Sequence, residues 1–508
     1  MNLDPRTPVV VGVGQAAERI DDPGYRAMSP VELAAAAAQA ALDDCGATAV
    51  AAEVDTIAAL RQFEISGPVP NAPLGRSNNY PRSVAKRIGA EPRRAILEIV
   101  GGQGPQHLIT ELAGEIAAGR SEVALVFGSD ATSTLRHFAQ REDKPDFSET
   151  VDGDLEDRGP GIEKYISRYT VIHGLVDAPT QYALMENARR AATGLGPAEY
   201  LRRMAELFAP FSKVAASNPY SAAPVERTVD ELITVTESNR MIAEPYPRLL
   251  VARDQVNQGA AALLMSVEAA RRLRVPEDRW VYLRGHADLE APAFMERPDL
   301  GHAPSAVMAA REALQVAGIG VDDVATFDLY SCFPVPVFNI CDGLGIAPDD
   351  PRGLTLTGGL PFFGGPGNNY SMHGVAETVV RMRSAPGQFG LVGANGGIQS
   401  KYSVGIYSTA PAPWGSDRSA ELQALVDGGP KVRVTENPDG AATIETYTVR
   451  RDGGRPTGVI IGRLTTDDSR FLATTEDDAL LTLLIDGDPI GQPVQVRSFD
   501  YGNRCTAG

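Results

Sequence analysis

The chain contains no apolar run long enough to cross a membrane. The nearest candidate, residues 31–42, is alanine-rich and carries Glu32 and Gln39, whereas a membrane helix needs about 18 consecutive apolar residues. The first residues lead straight into a β-branched segment, without the basic stretch and apolar core of a secretory signal. We therefore expect a cytoplasmic protein that has no membrane partner.

Cysteine is scarce, with four residues in a chain of 508. Cys45, Cys332, Cys341 and Cys505 form no CxxC pair and no cluster with histidine. Four scattered thiols make neither the disulfide framework of a small secreted domain nor the ligand spacing of a zinc site. We expect no structural metal.

Positive charge is also in short supply. The chain has 47 lysines and arginines and 65 aspartates and glutamates, which gives a formal net charge of -18. An acidic surface repels nucleic acid and anionic membranes, so we expect no nucleic-acid partner, although a local basic pocket could hold a small polyanion. The 43% hydrophobic fraction is ordinary for a folded protein, and the length predicts roughly two to four domains.

An internal repeat organises most of the chain. Residues 41–57 contain a helix end, a glycine stop and a β-branched strand, and residues 313–328 repeat that order 272 positions later. Each copy is followed by a glycine-rich turn, at residues 101–104 and 358–367, and then by a helix and an apolar strand. Such alternation predicts largely parallel sheets. We expect two similar α/β halves packed face to face, with a site where the two turns converge.

The remaining segments form an insertion and a C-terminal domain. The segment between the halves is rich in charge and proline, with helix patterns at residues 183–192 and 197–208. Because structureless insertions of that length are uncommon, we expect this inserted loop domain to cover one mouth of the site. The predicted domains are residues 1–131 with 246–275 for the first half, 132–245 for the insertion, 276–410 for the second half, 411–428 for a linker and 429–508 for the last domain.

The last domain consists of short apolar segments separated by turn residues. Five such segments predict a small antiparallel β-barrel of the OB type. No stripe of basic and aromatic residues accompanies them, so the nucleic-acid role of many OB barrels is not expected here. The predicted strands cover residues 431–435, 442–449, 458–464, 480–485 and 492–498.

Two tracts carry a family resemblance. A strand over residues 95–100 runs into the turn GGQG at residues 101–104 and a helix, and the segment GRSEVALVFGS follows at residues 119–129. Together with the duplication, these tracts resemble the thiolase superfamily, in particular the sterol-carrier-protein-type thiolase-like proteins of type 1, over about residues 7–410. The resemblance implies two βαβαβαββ halves packed as a five-layered αβαβα core with an inserted loop domain. Here a small C-terminal barrel stands in place of a sterol-carrier domain.

The resemblance implies a homologue of the acetyl-CoA acetyltransferases, acting on coenzyme A thioesters in lipid metabolism. Coenzyme A or acyl-CoA is the implied ligand, and no covalently bound cofactor is expected. Thiolases acylate a cysteine of lowered pKa and stabilise the resulting oxyanion. The resemblance places the nucleophile on Gly101 and the family's Asn-Glu or His-Asp pair on Tyr330 and Ser331. It places the activating histidine on Gly365 and the second cysteine on Ala394 or a close neighbour within residues 393–397. We therefore expect no conventional acetyltransferase activity, and space beside Gly101 that is open for a different substrate.

The candidate catalytic residues are Tyr330 and His373. The resemblance gives Tyr330 a position that orients the oxyanion water, where its phenol could donate to a thioester oxygen, take a proton from an aldol hydroxyl, or only fill volume. His373, near the start of a predicted helix, is either an acid–base group or a packing or capping residue. Cys332 is either a substitute nucleophile or a buried core thiol. The candidate ligand-binding residues are Gly102, Gly104, Asn368, Asn369 and Asn395, of which Asn368 and Asn369 could instead cap the helix.

Three functions remain open from the sequence. The first is a thiolase-like protein that binds acyl-CoA thioesters without acetyl transfer. The second is a carbon–carbon lyase, a retro-aldolase acting on a 3-hydroxyacyl-CoA, in which Tyr330 and His373 handle protons. The third is a non-catalytic carrier or scaffold whose C-terminal barrel docks a protein partner.

Overall fold

The computed structural model describes residues 3–67, 71–162, 166–451 and 454–508. The strands are β1 (Pro8–Ala17), β2 (Thr56–Ala59), β3 (Arg94–Leu97), β4 (Val123–Asp130), β5 (Glu156–Asp157), β6 (Met241–Ala243), β7 (Tyr246–Pro247), β8 (Gln258–Ser266), β9 (Tyr282–Glu290), β10 (Val324–Leu329), β11 (Phe389–Gly396), β12 (Lys401–Ser408), β13 (Asp439–Arg450), β14 (Thr457–Leu464), β15 (Arg470–Thr475), β16 (Pro493–Arg497) and β17 (Arg504–Ala507). The α-helices are α1 (Pro30–Asp44), α2 (Tyr80–Ile88), α3 (Gly104–Ala117), α4 (Thr132–Phe138), α5 (Arg168–Ile172), α6 (Ala178–Thr193), α7 (Pro197–Ser217), α8 (Val229–Ile233), α9 (Val267–Arg272), α10 (Pro304–Ala317), α11 (Pro334–Leu344), α12 (Tyr370–Ser384), α13 (Ser419–Asp427) and α14 (Asp478–Asp486). In these described stretches no helix is both long enough and apolar enough to cross a bilayer.

Each half contributes one sheet, and the two sheets enclose a pair of helices. The first sheet has the order β1-β8-β4-β2-β3-β5 and the second the order β10-β11-β12-β9. Helices α3 and α12 lie between them and contact strands of both sheets, while α1 covers the outer face of the first sheet and α10 that of the second. This five-layered arrangement confirms the predicted duplicated α/β core.

The sheets are mixed, so the prediction of largely parallel sheets was wrong in part. In the first sheet β2 pairs in parallel with β3 and β4, but β8 pairs antiparallel with β1 and β4. In the second sheet β10 and β11 are parallel, whereas β11 with β12 and β12 with β9 are antiparallel. Only residues 397–400 separate β11 from β12. So short a connection requires an antiparallel pair, because a parallel crossover needs about a dozen residues.

One glycine in each half lets the first strand touch the helix that follows it. A Cβ atom on Gly12 would overlap the backbone oxygen of Ala41, and a Cβ atom on Gly285 would overlap that of Ala313. These two alanines are the residues related by the 272-residue repeat. Strand β1 therefore lies on α1 as β9 lies on α10, and the repeat extends to individual backbone contacts.

Alanine at Gly12 or at Gly285 is expected to lower the free energy of unfolding by about 3 kcal/mol or more, because backbone must shift to relieve the overlap. Gly114→Ala is the matched control, since a Cβ atom at this position of α3 meets no atom within 4 Å. That control should gain about 0.5–1 kcal/mol from helix propensity. Denaturant unfolding measures all three variants. Midpoints that do not change in the first two would contradict this packing.

The inserted region packs on the second half through a buried carboxylate. Helices α6 and α7 confirm the two predicted helix patterns. Glu186 of α6 accepts hydrogen bonds from the phenols of Tyr200 (2.5 Å) and Tyr246 (2.7 Å) and from the backbone N–H of Val335 at the start of α11 (2.8 Å). Burial raises the pKa of Glu186 to about 7. The three donors hold α6 and α7 against the helix that follows Tyr330.

The predicted linker is fastened to the second half before it reaches the acidic helix α13. The ring of Trp414 stacks on His286 of β9 with 4.4 Å between centroids. Arg284 donates to the backbone oxygen of Ala410 (3.0 Å), and Arg418 pairs with Glu312 of α10 (2.8 Å). The segment thus runs along the outer edge of the second half and carries the chain to the C-terminal barrel.

Five strands of the last domain close into a barrel. The strands follow one another around the barrel in the order β13-β14-β15-β17-β16, and β16 pairs again with β13. Along the chain, α14 lies between β15 and β16. This is the strand order of an OB barrel, so the predicted fold class of this domain is confirmed. The pairing of β15 with β17 is parallel, and the other barrel pairs are antiparallel.

Two of the predicted barrel strands are wrong. Residues 480–485 belong to α14, where the side chain of Asp477 accepts a hydrogen bond from the backbone N–H of Leu480 (2.9 Å) and caps the helix. Residues 431–435 form no strand beyond an isolated bridge at Val434. The unpredicted strands are β15, which begins with an arginine, and β17, which is only 4 residues long. The sequence of β15 lacks the alternation of apolar and polar residues that marks a strand, and β17 alternates over only 4 residues.

The barrel packs directly against the inserted region and the second half. Strand β13 also pairs with β6 of the insertion, so the barrel sheet continues into the inserted region. Arg470, which is fully buried, pairs with Glu445 of β13 and donates to the backbone oxygen of Met295 in the second half (2.8 Å). Docking of a protein partner through the barrel stays a prediction.

Candidate functional site

The glycine-rich turns of the two halves meet above α3 and α12. The backbone N–H of Gly101 donates to the side-chain oxygen of Asn368 (2.9 Å), whose amide nitrogen donates in turn to the backbone oxygen of Arg61 (2.6 Å). The hydroxyl of Ser371 donates to the backbone oxygen of Gly102 (2.7 Å). The turn after β3 is therefore tied to the turn before α12, as the sequence predicted.

The space beside Gly101 is filled, so the prediction that it is open was wrong. Gly101 has φ +145°, a conformation that favours glycine, and a Cβ atom there would overlap the Oε1 atom of Gln103. A Cβ atom on Gly396, which comes from the second half, would overlap the same oxygen. The Gln103 carboxamide thus occupies a slot between one glycine of each half, at the point where a nucleophile at position 101 would project.

Several buried polar atoms around this point have no hydrogen-bond partner among the described residues. They are Oε1 of Gln103, Oγ of Ser331, Nε2 of His373 and Oδ1 of Asn395. Each residue is at most 5% exposed. An orphaned polar group in the interior costs about 1–3 kcal/mol, so a cluster of them marks a place where a polar ligand would gain hydrogen bonds.

Tyr330 lies across the turn of the first half. A Cβ atom on Gly102 would overlap the phenol oxygen, and the ring meets Tyr370 edge-on with 5.4 Å between centroids. No hydrogen bond of this phenol is found within the described part of the chain, whereas the neighbouring tyrosines Tyr370 and Tyr407 donate to or share a proton with Thr357 and Gln106. Burial raises the pKa of Tyr330 well above its ordinary value. The phenol is therefore a protonated donor without an assigned acceptor.

Cys332 does not have the surroundings of a nucleophile. It is 6% exposed, and burial raises the pKa of its thiol to about 12. Attack on a thioester needs a thiolate, and reactive cysteines have lowered pKa values. The buried core thiol is the interpretation that this environment favours.

The native protein is expected to resist thiol reagents. All four cysteines are buried, and burial raises each pKa, to about 12 for Cys332, Cys341 and Cys505. A chromogenic disulfide reagent at pH 8 should release almost no thiolate colour from the folded chain, and four equivalents after denaturation. Rapid reaction of one native thiol, mapped to Cys332 by mass spectrometry, would contradict this.

The side chain of His373 is hydrogen-bonded to the first half. Its Nδ1 atom lies 2.6 Å from the side-chain oxygen of Gln15 on β1, and its ring meets Phe363 edge-on at 5.0 Å. Burial lowers the pKa of His373 to about 3, so the ring is neutral at physiological pH. The described contacts join it to Gln15 rather than to Tyr330, which weakens its candidacy as a partner in proton transfer.

The three asparagines predicted to bind a ligand all have partners inside the protein. Asn369 precedes α12 but makes no capping bond to that helix, and its amide instead donates to the backbone oxygen of Gly128 (2.7 Å). Asn368 likewise connects the two turns, so the capping alternative is wrong for both. Asn395 donates weakly to the phenol of Tyr182 in the insertion (3.4 Å). Their roles toward a ligand stay predictions.

The remaining predicted positions lie in the same region. Gly104 begins α3, where a Cβ atom would lie 2.6 Å from the side chain of Leu60. Gly365 stands beside the side chain of Leu360, and Ala394 lies on β11 and is 3% exposed. None of these positions presents a side chain that can exchange a proton, so they supply shape and backbone groups.

A buried carboxyl group lies behind the second turn. Asp130 accepts from the backbone N–H of Phe63 (2.9 Å), and its other oxygen abuts Gly367. Burial raises the pKa of Asp130 to about 8, with the nearby charge of Glu64 acting in the same direction. The folded chain therefore holds a proton on this group that the unfolded chain releases near its ordinary pKa of 3.8.

Because the folded pKa of Asp130 is raised, its contribution to stability is present at acidic pH and is lost as the pH rises through about 8. Asp130→Asn keeps the shape and cannot ionise, so it should be more stable than the parent at pH 9 and similar at pH 4. Thermal unfolding across that range measures the difference. Parallel curves for the two proteins would contradict a protonated Asp130.

One group of side chains has the composition of a metal site. Candidate ligand atoms of Glu98, His107 and Glu111 lie within 4.8 Å of one another. Arg158 from the insertion donates to Glu98 (2.6 Å) and to Glu111 (2.7 Å), and His107 lies 3.0 Å from Asp288. The guanidinium already bonds to both carboxylates, so we interpret the group as an ion-pair network that secures the insertion beside the turn.

Gln103 and the Glu186 network were not predicted. Both had a signal in the sequence: Gln103 is the one long side chain in a turn of glycines, and Glu186 lies one helical turn from Tyr182 on the apolar face of α6.

Two cavities of about 650 and 720 Å³ lie between α10 and α11, away from the turns.

Comparison with known proteins agrees with this architecture. Residues 421–500 match the family model of the thiolase-like protein type 1 additional C-terminal domain. The crystal structure of a monomeric SCP2-thiolase like protein type 1 (STLP1) from Mycobacterium smegmatis is 58% identical, covers 100% of both chains and has a TM-score of 0.87.

More distant proteins share the core. The Ltp2-ChsH2(DUF35) aldolase is 19% identical, with 82% of this chain and 99% of that chain covered and a TM-score of 0.59, a likeness of fold alone. A curated acetyl-CoA acetyltransferase from Methanothermobacter thermautotrophicus is 25% identical over 239 residues, which are 44% of this chain. The match spans 59% of that relative's length.

The family assignment rests on the full-length similarity, which covers both halves, the insertion and the barrel together. The match of residues 421–500 falls largely on the barrel and agrees with it. The chain belongs to the SCP2-thiolase-like protein type 1 family.

Proposed function

We propose that the protein binds an acyl-CoA-type thioester in the cleft between its halves and does not transfer the acyl group through a cysteine. The observation that carries this proposal is the arrangement at Gly101, where a glycine-favouring backbone and the Gln103 carboxamide occupy the place of a nucleophile. The thiolase-like fold supports a CoA thioester as the ligand class. The unpartnered polar atoms around the turns supply groups that a thioester could satisfy.

Acyl transfer lacks a second route at this site. Cys332 is buried with a raised pKa, and Gly365 and Ala394 carry no group that could activate or replace a nucleophile. An acyl-enzyme requires an activated nucleophile within reach of the thioester carbon. These residues therefore support binding of a thioester without an acyl-enzyme.

Calorimetry with CoA, acetyl-CoA and acetoacetyl-CoA tests the binding proposal. Gly102→Ala should weaken binding at least about tenfold, because its Cβ atom would overlap the Tyr330 phenol and lie 2.6 Å from the backbone oxygen of Asn395. Gly114→Ala, which meets no atom within 4 Å, is the matched control and should bind as the parent does. Failure of the folded parent to bind any of the three compounds would refute the proposal.

A second function, carbon–carbon cleavage of a 3-hydroxyacyl-CoA, is favoured by the unassigned phenol of Tyr330. In a retro-aldol step the hydroxyl proton leaves to a base, the bond between the α and β carbons breaks, and the electron pair moves onto the thioester oxygen as an enolate. A protonated Tyr330 could donate a hydrogen bond to that oxygen. The raised pKa suits this donor role and not that of the base. The base is not assigned.

A further inference from the structure

Gln103 is anchored through its backbone while its side chain remains free. The residue precedes α3 in helical conformation, its backbone oxygen accepts from the N–H of His107 (3.0 Å), and its side chain makes no capping bond to the helix. No hydrogen bond from the carboxamide is found in the described part of the chain. A change of rotamer would therefore break no hydrogen bond of this side chain.

The slot that holds this carboxamide is narrow and comes from both halves. Its walls are the Cα atoms of Gly101 and Gly396, and a Cβ atom on Gly396 would also lie 2.8 Å from the backbone nitrogen of Gly102. The Gln103 oxygen in the slot is unpartnered, at a cost of about 1–3 kcal/mol for a buried acceptor. The slot is narrow enough to select a flat group, and Gln103 fills it with a carboxamide whose oxygen gains no hydrogen bond there.

We propose that Gln103 is a displaceable plug of the acyl end of the cleft and sets the preference of the protein between free CoA and acyl-CoA. This inference rests on the proposed binding function. A thioester carbonyl is flat and similar in size to a carboxamide, so the two compete for the same slot. Free CoA, which has no acyl group, binds without displacing the side chain, whereas acyl-CoA must first expel it.

Calorimetry of the parent and of Gln103 variants with CoA and acetyl-CoA tests whether Gln103 acts as a plug. Gln103→Ala empties the slot and should raise the ratio of acetyl-CoA affinity to CoA affinity at least tenfold, which corresponds to about 1.4 kcal/mol. Gln103→Met keeps a side chain of similar length in the slot and should leave that ratio within about threefold of the parent. Gln103→Ser is a second opening variant if the alanine variant does not fold, as judged by circular dichroism.

The outcomes separate the plug from the binding function itself. One outcome is that CoA binds the parent and the variants, but the ratio of acetyl-CoA affinity to CoA affinity in Gln103→Ala or Gln103→Ser stays within twofold of the parent. Gln103 is then not a plug, and the binding proposal stands. If neither CoA nor acetyl-CoA binds the parent or any variant, both proposals fall. A crystal structure with acetyl-CoA should show Gln103 in a different rotamer from that described here, and an unmoved side chain beside a bound acyl group would overturn the inference.

Discussion

We expect Gly101→Cys to yield a less stable protein that shows no acyl-transfer activity. The backbone at this position has φ +145°, which a side chain rarely adopts, and the new Cβ atom would overlap the Gln103 carboxamide. We expect a loss of about 2–4 kcal/mol in the free energy of unfolding, made up of backbone strain and displacement of that side chain. Thiolysis of acetoacetyl-CoA, followed at the absorbance of its enolate, should stay at background.

A double variant separates the effect of backbone strain on stability from the effect of displacing the Gln103 side chain. Gly101→Cys with Gln103→Ala removes the overlap but keeps the strained backbone, so it should recover part of the stability and none of the activity. Activity stays absent because Gly365 and Ala394 provide no acid–base group. Thiolase activity in either variant would show that the surrounding turns still form working catalytic machinery, contrary to this account.

Tyr330→Phe is expected to lower kcat/KM for cleavage of a 3-hydroxyacyl-CoA by about 10²–10³-fold if the protein is a lyase, the usual cost of losing one oxyanion donor. Because the phenol has no hydrogen-bond partner among the described residues, the unfolding free energy should change by less than about 0.5 kcal/mol. Product formation is followed by mass spectrometry of the released carbonyl compound and of the shortened thioester.

Tyr407→Phe is the matched control for this substitution. Its phenol donates to the side chain of Gln106 at 2.6 Å, so removal of the hydroxyl should cost about 1–3 kcal/mol of stability and leave cleavage unchanged. If the parent cleaves no compound in a panel of 3-hydroxyacyl thioesters, the lyase function is excluded and the binding function remains. Equal cleavage by parent and Tyr330→Phe would remove Tyr330 from the mechanism.

Much of the fold could be predicted from local patterns. The repeat around Ala41 and Ala313 predicted two equivalent halves, and the structure extends it to the glycines that face those alanines. Strand direction was harder, because alternation of helix and strand suggests parallel pairing and says nothing about a strand that returns directly, as β12 does after β11. The helix α14 differs from the predicted strand because a segment of 9 residues is too short to separate a helical period from a strand.

The contacts between side chains at the candidate site could not be predicted from the sequence. The absence of a nucleophile at Gly101 is visible in the chain, but the filling of that space by Gln103 depends on Gly396, a residue from the other half. The isolation of His373 depends on Gln15, 358 positions away. Contacts between distant residues decide which side chains are free to react, and they follow from packing rather than from spacing.

The central claim is that the protein holds a CoA thioester without forming an acyl-enzyme. Incubation with acetoacetyl-CoA, followed by calorimetry and by intact-mass measurement of the same sample, tests it most directly. We expect saturable binding at one site and a protein mass that does not change, because Gly101 offers no nucleophile and burial raises the pKa of the Cys332 thiol to about 12. A mass increase of one acyl group, mapped to any of the four cysteines, would contradict it.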